Sequence, residues 1–91
     1  MRVRALAVFR GRVQGVYFRA HCEEKASQLG LAGYVRNRPD GAVEAVFEGE
    51  RGAVEACIEW NRASQPYASV DSVEVVWSPP TDEFHGFQVT R

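Results

Sequence analysis

Val3-Arg4-Ala5-Leu6-Ala7-Val8-Phe9-Arg10, followed by Gly11-Arg12-Val13-Gln14-Gly15-Val16-Tyr17 and by Phe18-Arg19-Ala20-His21-Cys22-Glu23-Glu24-Lys25-Ala26-Ser27-Gln28-Leu29, is the stretch on which the fold turns. In its first part Val3, Ala5, Ala7 and Phe9 alternate with Arg2, Arg4, Leu6, Val8 and Arg10, the period of two that marks a half-buried strand. Two glycines, Gly11 and Gly15, then interrupt the pattern. From Phe18 the period lengthens. Phe18, Cys22, Ala26 and Leu29 recur at four, four and three residues, one apolar stripe along a helix. Gly30 stands just past its end, where a helix commonly stops.

Working outward, Leu31 to Arg36 reads as a second strand, and Asn37-Arg38-Pro39-Asp40-Gly41 as a turn. Val43, Ala45 and Phe47 alternate with Glu44, Val46 and Glu48, so a third strand is hairpinned to the second. Val54, Cys57, Ile58 and Asn61 mark a second helix from about Arg51 to Ala63, which Gln65-Pro66-Tyr67 ends. Val70 to Trp77 is a fourth strand stopped by Pro79-Pro80, and Phe87 to Thr90 a short last one. The order β-α-β-β-α-β plus a terminal β contains two split βαβ units. Right-handed crossovers place both helices on one face of an antiparallel sheet. The expected class is α+β, a ferredoxin-like sandwich. Ninety-one residues make a single domain over 1–91.

The net charge of −1 conceals an uneven distribution. Residues 1–38 carry eight basic residues and only Glu23 and Glu24 as acids, whereas residues 39–91 carry three basic residues and ten acids. All but one of the eleven basic residues are Arg, whose planar fork of donors suits phosphate and carboxylate. The basic residues gather around two short segments rather than along a broad surface, which favours a small anion over a polyanion. Neither a membrane-spanning run nor a signal-peptide pattern is present, so a cytoplasmic protein is expected.

The loop from Gly11 to Arg19 leads into a helix N-terminus, where free N–H groups and the helix dipole favour an anion. Gly15 permits positive φ and close approach to the backbone. Arg19 stands in the first helical turn, against the dipole. From the residues alone two readings stay open: an ordinary connecting loop with an exposed Arg, or a phosphate cradle of Gln14 to Arg19 amides. Asn37 is equally double, since Asn before a Pro-Asp-Gly turn either caps its own backbone or presents its amide elsewhere.

Gly11-Arg12-Val13-Gln14-Gly15-Val16-Tyr17-Phe18-Arg19 and Gly33-Tyr34-Val35-Arg36-Asn37 with Pro39-Asp40-Gly41 resemble the two signature blocks of the acylphosphatases, in spacing as well as in residues. The resemblance implies a stand-alone hydrolase that splits an acyl phosphate into a carboxylate and inorganic phosphate without metal or other cofactor. It implies that the amides of Gln14, Gly15, Val16, Tyr17, Phe18 and Arg19, with the Arg19 guanidinium, hold the phosphoryl group. It implies too that Arg19 and Asn37 are catalytic, Asn37 orienting the attacking water. The expected partners are a small acyl phosphate and inorganic phosphate as product and inhibitor, with no nucleic acid, no membrane and a monomeric chain.

Two other functions fit the topology. A non-catalytic module that binds acyl or carbamoyl phosphate would share the loop. An RNA-binding domain would need stacking aromatics on the open sheet face, and Glu44 to Glu48 supply acids there instead. His21, off the apolar stripe, is expected on the solvent side, and His85 in a loop. Cys22 and Cys57 fall on helix stripes and read as reduced core residues, with a disulfide between them as the alternative reading. Trp60, Trp77, Phe9 and Phe47 read as core or half-buried. Phe87 to Arg91 receive no role.

Overall fold

A computed structural model describes the whole chain, Met1–Arg91. Its elements are β1 (Arg2–Arg12), α1 (Phe18–Gln28), β2 (Ala32–Asn37), β3 (Val43–Glu50), α2 (Arg51–Ala63), β4 (Ser69–Ser78) and β5 (Phe87–Val89). The expected order and class therefore hold. The sheet runs β4-β1-β3-β2-β5. β1 pairs antiparallel with β3 and β4, and β3 pairs antiparallel with β2. β5 differs, lying parallel to β2 with Gly33 opposite Phe87 and Val35 opposite Val89, so the sheet is mixed.

The alternation read in β1 decides its faces. Val3, Ala5, Ala7 and Phe9 are buried, and in register they meet Gly49, Phe47, Ala45 and Val43 of β3. Cys22 and Ala26 of α1 and Val54 and Cys57 of α2 close the same core. Small residues at positions 5, 7 and 45 leave room for Phe9, Phe18 and Phe47, whose rings are fully enclosed. Phe9 and Phe18 pack at 5.1 Å between ring centres, and Phe47 stacks on Phe87 at 5.4 Å. Gly33 is required by space as well as conformation. Its φ is +139°, and a Cβ there would lie 1.8 Å from the Val46 carbonyl oxygen.

Both cysteines are buried and free. Burial pushes the Cys22 thiol well up and that of Cys57 up to about 12, so each behaves as a small apolar filler. Two expectations need correction. His21 is not on the solvent side: it is half-buried, its Nδ1 is enclosed without a partner, and Tyr67 packs over it at 6.0 Å. The chain beyond α2 folds back over the start of α1, which the period of α1 alone does not reveal. Trp77 is 37% exposed, near the end of the edge strand β4, with the Arg51 guanidinium over its ring at 4.4 Å. No helix is long and apolar enough to cross a membrane.

Candidate active site

β1 delivers the chain to the loop between Val13 and Tyr17, and α1 begins at Phe18 with Tyr17 as its N-cap. Two anchors three residues apart shape this loop. Val13 and Val16 bury their side chains in the core, so the backbone between them must turn outward. Gly15 does so at φ +74°, and Tyr17 follows at φ +60°, in the left-handed region that costs a non-glycine residue about 1 kcal/mol or more. The helix start has no side-chain cap and no acid in its first turn. The N–H groups of Gln14 to Tyr17 donate to no group of the chain, and the first backbone bond reaching into α1 runs from the His21 N–H to the Tyr17 carbonyl. A helix start with this many free donors, together with the helix dipole, favours a nearby negative charge.

A cleft of about 870 Å³ opens over this loop, lined by Val13, Gly15, Tyr17, Phe18, Arg19, Ala20, Asn37, Val89 and Arg91. Of the residues singled out from sequence, Gly15, Tyr17, Phe18, Arg19 and Asn37 come together here. Gln14 and Val16 do not line it with their side chains. Val16 points into the core, and the Gln14 amide reaches away to the Arg38 and Ala42 carbonyl oxygens at 2.8 and 2.9 Å.

Arg19 is half-buried and makes no ion pair. That is unusual in this molecule. Arg2, Arg4, Arg10, Arg36, Arg38, Arg51 and Arg62 each face a carboxylate. Arg12, Arg19 and Arg91 do not, and two of these three line the cleft. Asn37 closes β2 opposite Val43, on the helix-facing side shared with Gly33 and Val35. Its Oδ1 is buried without a partner. The following turn is capped by Asp40 instead, whose Oδ1 accepts from the Ala42 N–H at 3.1 Å. The self-capping reading of Asn37 is therefore removed, because its amide is committed to nothing within the chain.

Val89 and Arg91 were not singled out from the sequence. They reach the cleft because β5 pairs with the strand that ends in Asn37. Such a neighbour relation leaves no local pattern. No group of three or more His, Cys, Asp or Glu side chains is placed so that it could hold a metal ion.

Comparison with known proteins bears on this cleft. The family model described as Acylphosphatase matches residues 6–89. The chain is 48% identical over 88 residues to an acylphosphatase of Pelotomaculum thermopropionicum, covering 97% of this chain and 96% of that one. It is 50% identical over 88 residues to an acylphosphatase of Anaeromyxobacter dehalogenans, covering 97% and 95%. The crystal structure of the Bacillus subtilis acylphosphatase superposes with a TM-score of 0.93 at 32% identity, over 98% of this chain and 99% of that one. The matched residues 6–89 span the loop from Gly11 to Arg19 and Asn37, and on a match of this extent the chain belongs to the acylphosphatase family.

Proposed function

We propose that this acylphosphatase binds the phosphoryl group of an acyl phosphate with the backbone amides of Gln14 to Arg19 and the Arg19 guanidinium, while Asn37 orients the attacking water. An acyl phosphate releases a carboxylate, whose conjugate acid has a pKa near 4, so the leaving group departs without a strong general acid. What remains is to place water in line with the phosphorus and to accommodate charge on the equatorial oxygens. Preoriented donors meet the second need with little reorganisation. The free amides at the start of α1 and the unpaired Arg19 are such donors, and Arg offers a bidentate fork to two phosphate oxygens.

The observation that carries the reading is the Asn37 amide. It lines the same cleft as Arg19, it is half-buried, and its oxygen has no partner in the chain. A module that only binds phosphate would need the loop alone and leaves this amide without a purpose. The proton released by the water passes to the substrate's own phosphate oxygen, since the cleft is lined by no His, Asp or Glu.

The experiment is Asn37→Ala, assayed on benzoyl phosphate with inorganic phosphate as inhibitor. Turnover should fall about a hundred- to a thousandfold, the effect of deleting one well-placed polar group, while phosphate inhibition changes little. A stable variant with wild-type kcat removes Asn37 from the mechanism.

A further inference from the structure

We infer that the Gln14 side chain is a positioning residue, clamping the turn that follows Asn37 to the anion loop and so fixing where the Asn37 amide stands. The inference rests on the role of Asn37 proposed above and adds to it a side chain that does not line the cleft.

Gln14 Nε2 donates to the Arg38 carbonyl at 2.8 Å and to the Ala42 carbonyl at 2.9 Å, across 24 and 28 residues of sequence. Both partners are acceptors only, so the amide nitrogen with its two hydrogens must be the atom that faces them. The two carbonyls are the jaws of the turn. The Arg38 N–H donates to the Ala42 carbonyl at 2.8 Å, and the Gly41 N–H to the Arg38 carbonyl at 3.1 Å. Gln14 adds one further bond to each jaw and holds the pair from outside.

Asn37 directly precedes this clamped residue, and no hydrogen bond of its own orients its amide oxygen. Its position is therefore set by backbone, through the β2–β3 ladder on one side and the turn on the other. The other end of the clamp lies in the loop that presents the free amides, three residues before the N-cap of α1. One side chain thus ties together the two halves of the cleft, which the sequence separates by more than twenty residues.

The test compares Gln14→Ala, Gln14→Glu, Asn37→Ala and the Gln14→Ala/Asn37→Ala double variant on benzoyl phosphate, with phosphate inhibition and urea midpoints measured on the same preparations. Gln14→Glu keeps the shape but faces two carbonyls with no proton to give. Both single Gln14 variants should lose about tenfold or more in kcat, because displacing a positioning group by about an ångström costs up to a hundredfold. Phosphate inhibition should stay within about twofold, and in the Asn37→Ala background Gln14→Ala should remove less than about twofold more. Each Gln14 variant tests the clamp independently, so one that does not fold leaves the other to decide. Wild-type kcat in either folded variant overturns the clamp. So does a loss confined to phosphate affinity, which would mean that Gln14 acts on the loop, and so does a full multiplicative loss in the double variant. Wild-type kcat in Asn37→Ala strikes the water-positioning role instead, and this inference falls with it.

Discussion

The open face of the sheet and the cleft at its end treat their polar groups in opposite ways. On the face away from the helices, Glu48 is enclosed to 1% exposure and is held by the Arg4 guanidinium at 2.9 Å, the Thr81 hydroxyl at 2.8 Å and the N–H groups of Thr81 and Asp82 at 3.1 and 2.9 Å. Glu44 accepts from the Tyr34 hydroxyl at 2.6 Å and from Arg36 at 3.0 and 3.1 Å. Burial pushes both carboxyls up, yet these donors more than offset it, and both titrate below the usual carboxylate range. In the cleft at the end of the sheet, Arg19, the Asn37 oxygen and the loop amides have no partners at all. Satisfied polar groups fix a structure, whereas unsatisfied ones that the fold positions at a cleft mark where a ligand belongs.

The comparison also corrects the charge argument made from sequence. The basic first half of the chain suggested a small anion. Five of those eight basic residues, Arg2, Arg4, Arg10, Arg36 and Arg38, pair instead with acids of the second half. Of the basic side chains that prompted the argument, only Arg19 lines the cleft.

The contrast requires substitutions on the open face and at the cleft to separate into stability and activity. Beside Asn37→Ala, the largest effect is expected at Arg19→Lys, which keeps the charge and loses the fork. Its kcat/KM on benzoyl phosphate should fall about a hundredfold or more, the scale of losing an oriented donor, with the urea midpoint unchanged. Near-normal kinetics would mean that Arg19 is not the clamp on the phosphoryl group.

Glu48→Gln should do the reverse. It removes a charge that four donors satisfy and should lower stability by about 1.5–3 kcal/mol while kcat of the folded protein holds. The pH dependence has a definite sign. Because the folded carboxyl titrates below its unfolded value, its contribution is complete near neutrality and is lost as pH falls below about 4. Urea midpoints taken from pH 7 to pH 3 should therefore fall more steeply for the wild type than for Glu48→Gln. Parallel curves would show that Glu48 is not a source of the acid sensitivity.

The smallest expected effect sharpens the boundary between the regions. Gly15→Ala meets no protein atom within 4 Å but must hold φ near +74°, at a cost of about 1 kcal/mol in stability. Phosphate inhibition should weaken in the same variant, because the added methyl enters open space at a residue that lines the cleft. Unchanged inhibition would show that the anion does not approach the loop at this residue.

Local pattern sufficed for most of the fold. The change of period at Phe18 placed α1, the stripe Val54, Cys57, Ile58 and Asn61 placed α2 on Arg51–Ala63, and alternation assigned the buried face of β1 residue by residue. These features are legible because burying one side of a helix or strand writes its own period into the chain. The residues of the loop and the turn were legible for a related reason, since the glycines and the Pro-Asp-Gly run are demanded by backbone geometry.

What the sequence could not decide is what meets across strands. Nothing local says that β5 lies parallel beside β2 and brings Val89 and Arg91 to the cleft, or that Tyr67 covers His21. Nor does it say that the Gln14 amide closes on a turn 24 to 28 residues away. Which arginines are spent on carboxylates and which are left free is likewise a matter of register. Periodicity records the face a side chain takes; partners are chosen only when distant segments pack together, and in this protein that choice leaves Arg19 and Asn37 unpaired at one cleft.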